Sequence, residues 1–408
     1  MRGNSGRWPG DLGRARTAFW PAVTARHADW RRPERLVLAL PVRVFRGEPG
    51  RWRRLLPGNS WCPALAWFRF AAVRSPPPDL VPARMAAALA EGWHVHPARV
   101  DYVPEGAGSH HWKVTGADGL ARFVTVDDLD SKDWLGDTRQ AVFDGLGRAL
   151  DTAAALRDEA GLDFVVAPLP ARDGGLLRRI DDRYAVCVFP FLAGRSHRFG
   201  PYADPHLRGR ALDMIAALHQ ATPAVRGLAP PHILSFAGRD DLDAFLRDPG
   251  RPWSGGPFSG PARHLLATRT ADLAKLTAGF DRLTAATAAA RADPVITHGE
   301  PHPANLMSAG DRLVLIDWDT AALAPPERDV SLIATTSSQD IDRYQQAAGR
   351  DLDPAVLTLY RSRWYLDDLA SAIRLFRSPH RDTPDTRQWR DSLAPTLQQL
   401  PRWLQLLS

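Results

Sequence analysis

A glutamate and an asparagine lie five residues apart in His298-Gly299-Glu300-Pro301-His302-Pro303-Ala304-Asn305, and Asp317 follows twelve residues later in Leu315-Ile316-Asp317-Trp318-Asp319. Val314-Leu315-Ile316 reads as an apolar strand that presents a carboxylate at its end. Transfer of a phosphoryl group from a nucleotide leaves little covalent work to a protein. It needs oxygen ligands for magnesium, a carboxylate near the acceptor hydroxyl, and positive charge on the phosphates. Asn305 and Asp317 suit the metal, because magnesium takes few protein oxygens beside phosphates and waters. Glu300 suits the general base, a role worth roughly 10²–10⁴-fold in rate. The alternation of His298, Glu300 and His302 allows a second chemistry. On a strand the three would share a face and could hold a transition metal, as in a metal-dependent oxygenase. Pro301 and Pro303 interrupt such a strand, so His298 is expected to brace the loop instead.

These residues resemble the aminoglycoside phosphotransferase and choline kinase superfamily, whose loop reads His-Gly-Asp, four residues, Asn, and then Ile-Asp-Trp or Ile-Asp-Phe. The run from Asp317-Trp318-Asp319 to Ala324-Pro325-Pro326-Glu327-Arg328-Asp329 resembles the spectinomycin phosphotransferase branch. The resemblance spans residues 76–408. It implies an α+β, two-lobed, protein-kinase-like fold with a small antiparallel-sheet N-lobe and a mostly helical C-lobe. It also implies ATP (or GTP) and Mg2+, and a hydroxyl acceptor on a small molecule such as an aminoglycoside or aminocyclitol. Two positions depart from the pattern. Glu300 replaces aspartate, and its extra methylene moves the carboxylate outward, where a 1 Å misplacement is costly. Thr125 stands where kinases carry the lysine of the third strand. These departures leave a nucleotide-binding pseudokinase without turnover as the alternative.

The elements that must position this chemistry begin at Pro76. Val100–Pro104 reads as a first strand, Gly106-Ala107-Gly108-Ser109 as a phosphate-covering turn, His110–Val114 as the return strand and Ala121–Val126 as the third. Lys113, on the neighbouring strand, is the favoured substitute cation, with Lys132 as the other option. Asp127, Asp128 and Asp130 read as a solvated turn. Leu146, Leu150 and Leu156 predict a helix over Asp144–Glu159. Tyr184–Gly194 looks like the last lobe strand running into a hinge, with Phe189 and Phe191 beside the adenine.

Past Gly194 the pattern is helical. Leu212–His219 resembles the superfamily helix below the catalytic loop, with His219 packed. Residues 222–260 read as an acceptor-site flap holding one helix, Asp240–Arg247. Leu266, Leu273, Leu276, Phe280 and Leu283 predict one long helix over Pro261–Arg291. A further helix over Asp353–Arg377 carries Trp364 and Asp368 on one stripe, as candidate acceptor contacts. Asp368 could equally pair with Arg361 or Arg374. Arg328 and Asp329 are expected to brace the active-site segment, and Asp319 to support the metal ligands.

Composition bounds the rest. At 408 residues and 44% apolar content, the chain can form two or three real cores. Its net charge of +6 hides an asymmetry: residues 1–75 hold fifteen arginines against four acids, so the remainder is mildly acidic. That remainder argues against a nucleic-acid enzyme. The organisation expected is an Arg/Pro/Trp-rich extension at 1–75, a nucleotide-binding lobe at 76–192 and a catalytic and acceptor-binding lobe at 193–408. No run is long enough for a membrane helix. The two cysteines, Cys62 and Cys187, exclude a disulfide framework. A cytoplasmic monomer or homodimer is expected.

Overall fold

The computed structural model describes residues 75–407 apart from 78, 107, 133, 290–292 and 336. The extension expected before Ser75, and Cys62 within it, lie outside the described residues. The chain opens with α1 (Pro82–Trp93), which has proline in its first turn and ends where His94 turns left-handed at φ 53°. Three strands follow, β1 (Pro97–Val103), β2 (Ser109–Gly116) and β3 (Ala121–Asp128), each paired antiparallel with the next. After α2 (Arg139–Asp158), β4 (Arg178–Arg179) and β5 (Tyr184–Pro190) complete one sheet of order β1-β2-β3-β5-β4.

Period-two alternation gives that sheet two different faces. Trp112, Val114, Val124, Val126, Val186 and Val188 form one face and bury Met85 and Leu89 of α1. The other face carries Ser109, His111 and Lys113 on β2, opposite Asp127, Thr125 and Phe123 on β3. Cys187 of β5 lies on this second face and packs on Leu146 and Leu150 of α2. The same face therefore receives the helix and overlooks the cleft.

β6 (Arg195–Ser196) leads into α3 (Pro205–Gln220), α4 (Thr222–Val225), α5 (Arg239–Arg247), α6 (Ser259–Ala267) and α7 (Thr270–Ala286). Next come β7 (Val295–Thr297), β8 (Leu306–Ala309), β9 (Arg312–Leu315) and β10 (Ala322–Ala324). They form a β6-β8-β9 sheet and a β10-β7 pair. The chain then continues through α8 (Glu327–Ile333), α9 (Ser338–Ala348), α10 (Pro354–Arg377), α11 (Pro384–Leu397) and α12 (Leu400–Leu406). α10 is the axis of this half. Its Leu359, Leu366, Leu369, Ile373 and Phe376 meet Leu242, Phe245, Leu266, Leu273, Phe280, Trp389 and Trp403 from the surrounding helices. The described residues contain no helix long and apolar enough to cross a membrane.

Three expectations need correction. The single helix over Pro261–Arg291 is two helices, broken at Arg269 with φ −122°. There the hydroxyls of Thr268 and Thr270 donate to the carbonyls of Leu265 and Ala267, which supports a turn between the two. The helix expected from Asp144 starts five residues earlier, where the Thr138 side chain caps it by accepting from Ala141 N–H. The flap expected over residues 222–260 with one helix holds α4 as well as α5, and it is anchored at several points. Phe236, Leu242, Phe245 and Phe258 are core residues, and Asp367 of α10 accepts from Ala237 N–H at 2.6 Å.

Candidate active site

The loop after β7 is held from beneath by one carboxylate. Asp329, fully buried on α8, accepts the backbone N–H of His298 at 2.8 Å and that of Gly299 at 2.7 Å. His219 of α3 gives it a third bond at 3.2 Å, and Tyr344 completes the line by donating to His219 Nδ1 at 2.6 Å. Burial alone would raise the Asp329 pKa. The His219 hydrogen bond, with the Arg328 charge behind it, outweighs burial and holds the carboxyl below its usual value. Arg328 donates to Thr297 Oγ1 at 2.7 Å and to the Thr320 carbonyl at 2.9 Å, tying the catalytic loop to the segment after Asp317. Gly299 sits at φ +96°, and a Cβ there would fall 2.3 Å from the Arg328 guanidinium. Only glycine fits so close to this brace.

His298 is a buried hinge pin. Its Nε2 bonds the Ile316 carbonyl at 3.0 Å, and its Nδ1 accepts from Glu300 N–H at 3.2 Å. A carbonyl cannot donate and an amide N–H cannot accept, so the ring is the neutral Nε2–H tautomer. Burial agrees, pushing its pKa down to about 4. Both ring nitrogens are committed, so the alternating His298, Glu300 and His302 do not form a metal triad. Among the described residues, no group of three or more His, Cys, Asp or Glu side chains is arranged to hold a metal ion. The oxygenase reading is thereby overturned.

The hairpin β8-β9 brings the two expected magnesium ligands together. Leu306 pairs with Leu315, and Ile316 N–H donates to the Asn305 carbonyl at 3.0 Å, so Asn305 and Asp317 flank one hairpin end. Asn305 donates its amide to the Glu300 carbonyl at 2.9 Å, which leaves Oδ1 as the accepting end of the side chain. Asp317 adopts the left-handed conformation at φ 69°. Aspartate tolerates this better than most residues, yet the conformation still stores strain at a functional turn. Trp318 secures the turn by donating from its indole to the Leu315 carbonyl at 3.0 Å and packing edge-on to His298. Asp317 keeps exposed surface while neighbouring protein crowds the rest of it. That crowding, with the charge of Asp319 next in weight and Lys132 opposing, raises its pKa well above the usual carboxylate range.

Glu300 is 5% exposed, and its Oε2 lies 3.9 Å from His302 Nε2. The loop fixes its backbone on both sides: its N–H donates to His298 and its carbonyl accepts from Asn305 and from His302 N–H. Pro301 is held as well, by Tyr202 O–H at 2.6 Å. The carboxylate that could take a proton is thus mounted on the same short turn as Asn305.

On the nucleotide side, Gly106 and Gly108 occupy φ +87° and +83°, conformations that suit glycine. The Ser109 hydroxyl donates to Asp127 at 2.6 Å. Lys113 rests over the Phe191 ring, 4.3 Å from its centroid, at the hinge end of the cleft face. Phe189 is partly buried against the α2 side of the sheet. Lys132 occupies the other end. It is 1% exposed, 2.6 Å from Asp319, 3.1 Å from Asp127 and 3.1 Å from Ser109 Oγ. Asp127 is correspondingly buried and not part of a solvated turn, a correction that follows from its pairing with Lys132. Asp128 and Asp130 do bind arginines, Arg183 and Arg139.

On the acceptor side, α10 buries Trp364 and Asp368 as its stripe demands. Asp367 is the acid that the sequence reading passed over. It is fully buried, accepts from Ala237 N–H and stands 3.3 Å from Arg363. Arg361, considered as a partner of Asp368, donates to the carbonyls of Ser331, Ala334 and Thr335. Arg374 bonds Asp241 at 3.0 Å. Asp367 carried a legible signal, since Arg363 lies one helical turn before it.

Comparison with known proteins identifies the family. The sequence pattern of the phosphotransferase enzyme family (APH) matches residues 103–360. Protein StrN of Streptomyces griseus is 32% identical over 244 residues, 57% of this chain and 72% of that protein. Spectinomycin phosphotransferase APH(9)-Ia, solved with ADP and spectinomycin, superposes with a TM-score of 0.58 at 13% identity, covering 80% of this chain and 97% of that one. A microcompartment-associated aminopropanol kinase does so with a TM-score of 0.53 at 16% identity, covering 80% and 98%.

Proposed function

Because the chain belongs to the phosphotransferase enzyme family, we propose that it moves the γ-phosphoryl group of ATP to a hydroxyl of a small, aminated molecule. The observation that carries this reading is the β8-β9 hairpin, which brings Asn305 and Asp317 to one end, with Glu300 on the turn that Asn305 closes. Asn305 Oδ1 and Asp317 would hold magnesium, which when bound neutralises phosphate charge and aligns the transfer. The acceptor oxygen bonds to the γ-phosphorus as the bond to the β,γ-bridging oxygen breaks. The acceptor proton passes to the Glu300 carboxylate, and nucleoside diphosphate leaves. Glu300 differs from aspartate by one methylene, and the three hydrogen bonds that fix its backbone support its placement.

The amine in the acceptor is supported by two likenesses of fold, one to a spectinomycin phosphotransferase and one to an aminopropanol kinase. Asp368 and Trp364, buried together on α10, are the contacts proposed for it. We place the enzyme in the cytoplasm, where ATP is found. The division into a nucleotide lobe at 76–192 and an acceptor lobe at 193–408 belongs to the same proposal. The test incubates the purified chain with MgATP and a panel of aminocyclitols, aminoglycosides and amino alcohols, scoring a mass gain of one phosphate. A phosphorylated product, lost by more than 10³-fold in Asp317→Asn while the fold is kept, is expected. Binding of MgATP with no product from any member would favour the pseudokinase reading instead.

A further inference from the structure

The strand position that should carry the phosphate-binding lysine holds Thr125, which faces the cleft beside His111 and Cys187. An ATP phosphate chain carries several negative charges, and Asp127 and Asp319 already stand at this end of the sheet face. A fixed cation is therefore required near the glycine turn. The chain has three lysines: Lys113, Lys132 and Lys275. Lys275 is exposed on α7, and Lys113 stands over Phe191 at the hinge. Lys132 alone links the two structures that phosphates pass between. Its ammonium bonds Ser109, the first residue after the glycine turn, and reaches Asp319, two residues beyond the metal ligand Asp317.

We propose that Lys132 is the phosphate-holding cation of this enzyme, delivered from the segment between β3 and α2 in place of the missing strand lysine. Asp127 and Asp319 hold it ready until nucleotide oxygens replace Asp319 as its partner. The three N–H bonds of the ammonium match the three contacts at Asp127, Asp319 and Ser109, so the group is aimed before nucleotide arrives. Asp127 stays as the permanent anchor, because it is 2% exposed and fixed by Ser109 O–H.

This inference rests on the kinase reading, and calorimetry separates the two. Titrations with Mg·AMP-PNP and with adenosine are compared across the wild type, Lys132→Met, Lys113→Met and the double variant Thr125→Lys/Lys132→Met. Loss of one charged hydrogen-bonding contact is worth about 10- to 100-fold. Lys132→Met is expected to weaken Mg·AMP-PNP by that factor and leave adenosine within about 3-fold, whereas Lys113→Met moves the triphosphate little. The strand lysine of the double variant should restore much of the loss. If Lys132→Met does not fold, Lys132→Arg gives the reading, since its planar head keeps the charge but misplaces the donors. Equal weakening of both ligands, or unchanged Mg·AMP-PNP affinity with a lowered melting temperature, would reduce Lys132 to a structural clasp and overturn the proposal. Failure of the wild type to bind Mg·AMP-PNP would instead sink the kinase reading.

Discussion

Replacing Asp329 by alanine tests whether one buried carboxylate assembles the catalytic loop. The change strips an acceptor from three buried donors: the N–H groups of His298 and Gly299, and His219 Nε2. Each orphaned donor costs about 1–3 kcal/mol. The contributions overlap, so a loss of about 4 kcal/mol is expected, a large part of the roughly 5–15 kcal/mol that keeps a domain folded. Asp329→Asn retains the shape and one oxygen but turns an amide N–H towards a backbone donor. Its cost should be about 1–3 kcal/mol, for one unmet bond. Urea unfolding followed by tryptophan fluorescence gives both values, because Trp318 touches His298. Turnover should fall more steeply than stability, since the loop bearing Glu300 and Asn305 loses its support. An alanine variant that loses less than about 1 kcal/mol and keeps full turnover would refute the reasoning.

Gly299→Ala forces a side chain to φ +96° and against Arg328. Strain alone costs about 1–3 kcal/mol, and displacement of Arg328 from Thr297 and Thr320 should cut turnover at least tenfold in a steady-state assay. Glu327 is buried and accepts from Asp353 N–H, and burial pushes its carboxyl up to about 7. The folded state therefore binds a proton that the unfolded chain has already released between pH 4.5 and 7. This contribution is intact below the lower value and is lost as pH rises through the upper, by up to about 3 kcal/mol. Glu327→Gln should erase that slope. The stability difference between variant and wild type, measured from pH 5 to pH 8, should then rise in favour of glutamine, and a flat difference would exclude the effect.

Much of the site was legible in the chain because its chemistry is local. Glu300 and Asn305 share one turn, Asp317 ends one strand, and Gly106 and Gly108 sit in one hairpin, so spacing alone places them. The small lobe was legible for the same reason, since alternating Trp112, Val114, Val124 and Val126 define a face before any partner is known. The family resemblance was readable too, because it rests on contiguous motifs. Sequence favoured Lys113 over Lys132 and showed Asp127 only as part of a solvated turn. Lys132 meets Asp319 across 187 residues, and His219 meets Asp329 across 110. Residues so distant are brought together only when separate cores close around them. Likewise, Asp367 and Asp368 adjoin on one helix with the same formal charge, and it was packing against Ala237 that gave the former its partner. Local spacing sets which groups can react, whereas burial and long-range pairing set which charges are held, where they point and at what pKa.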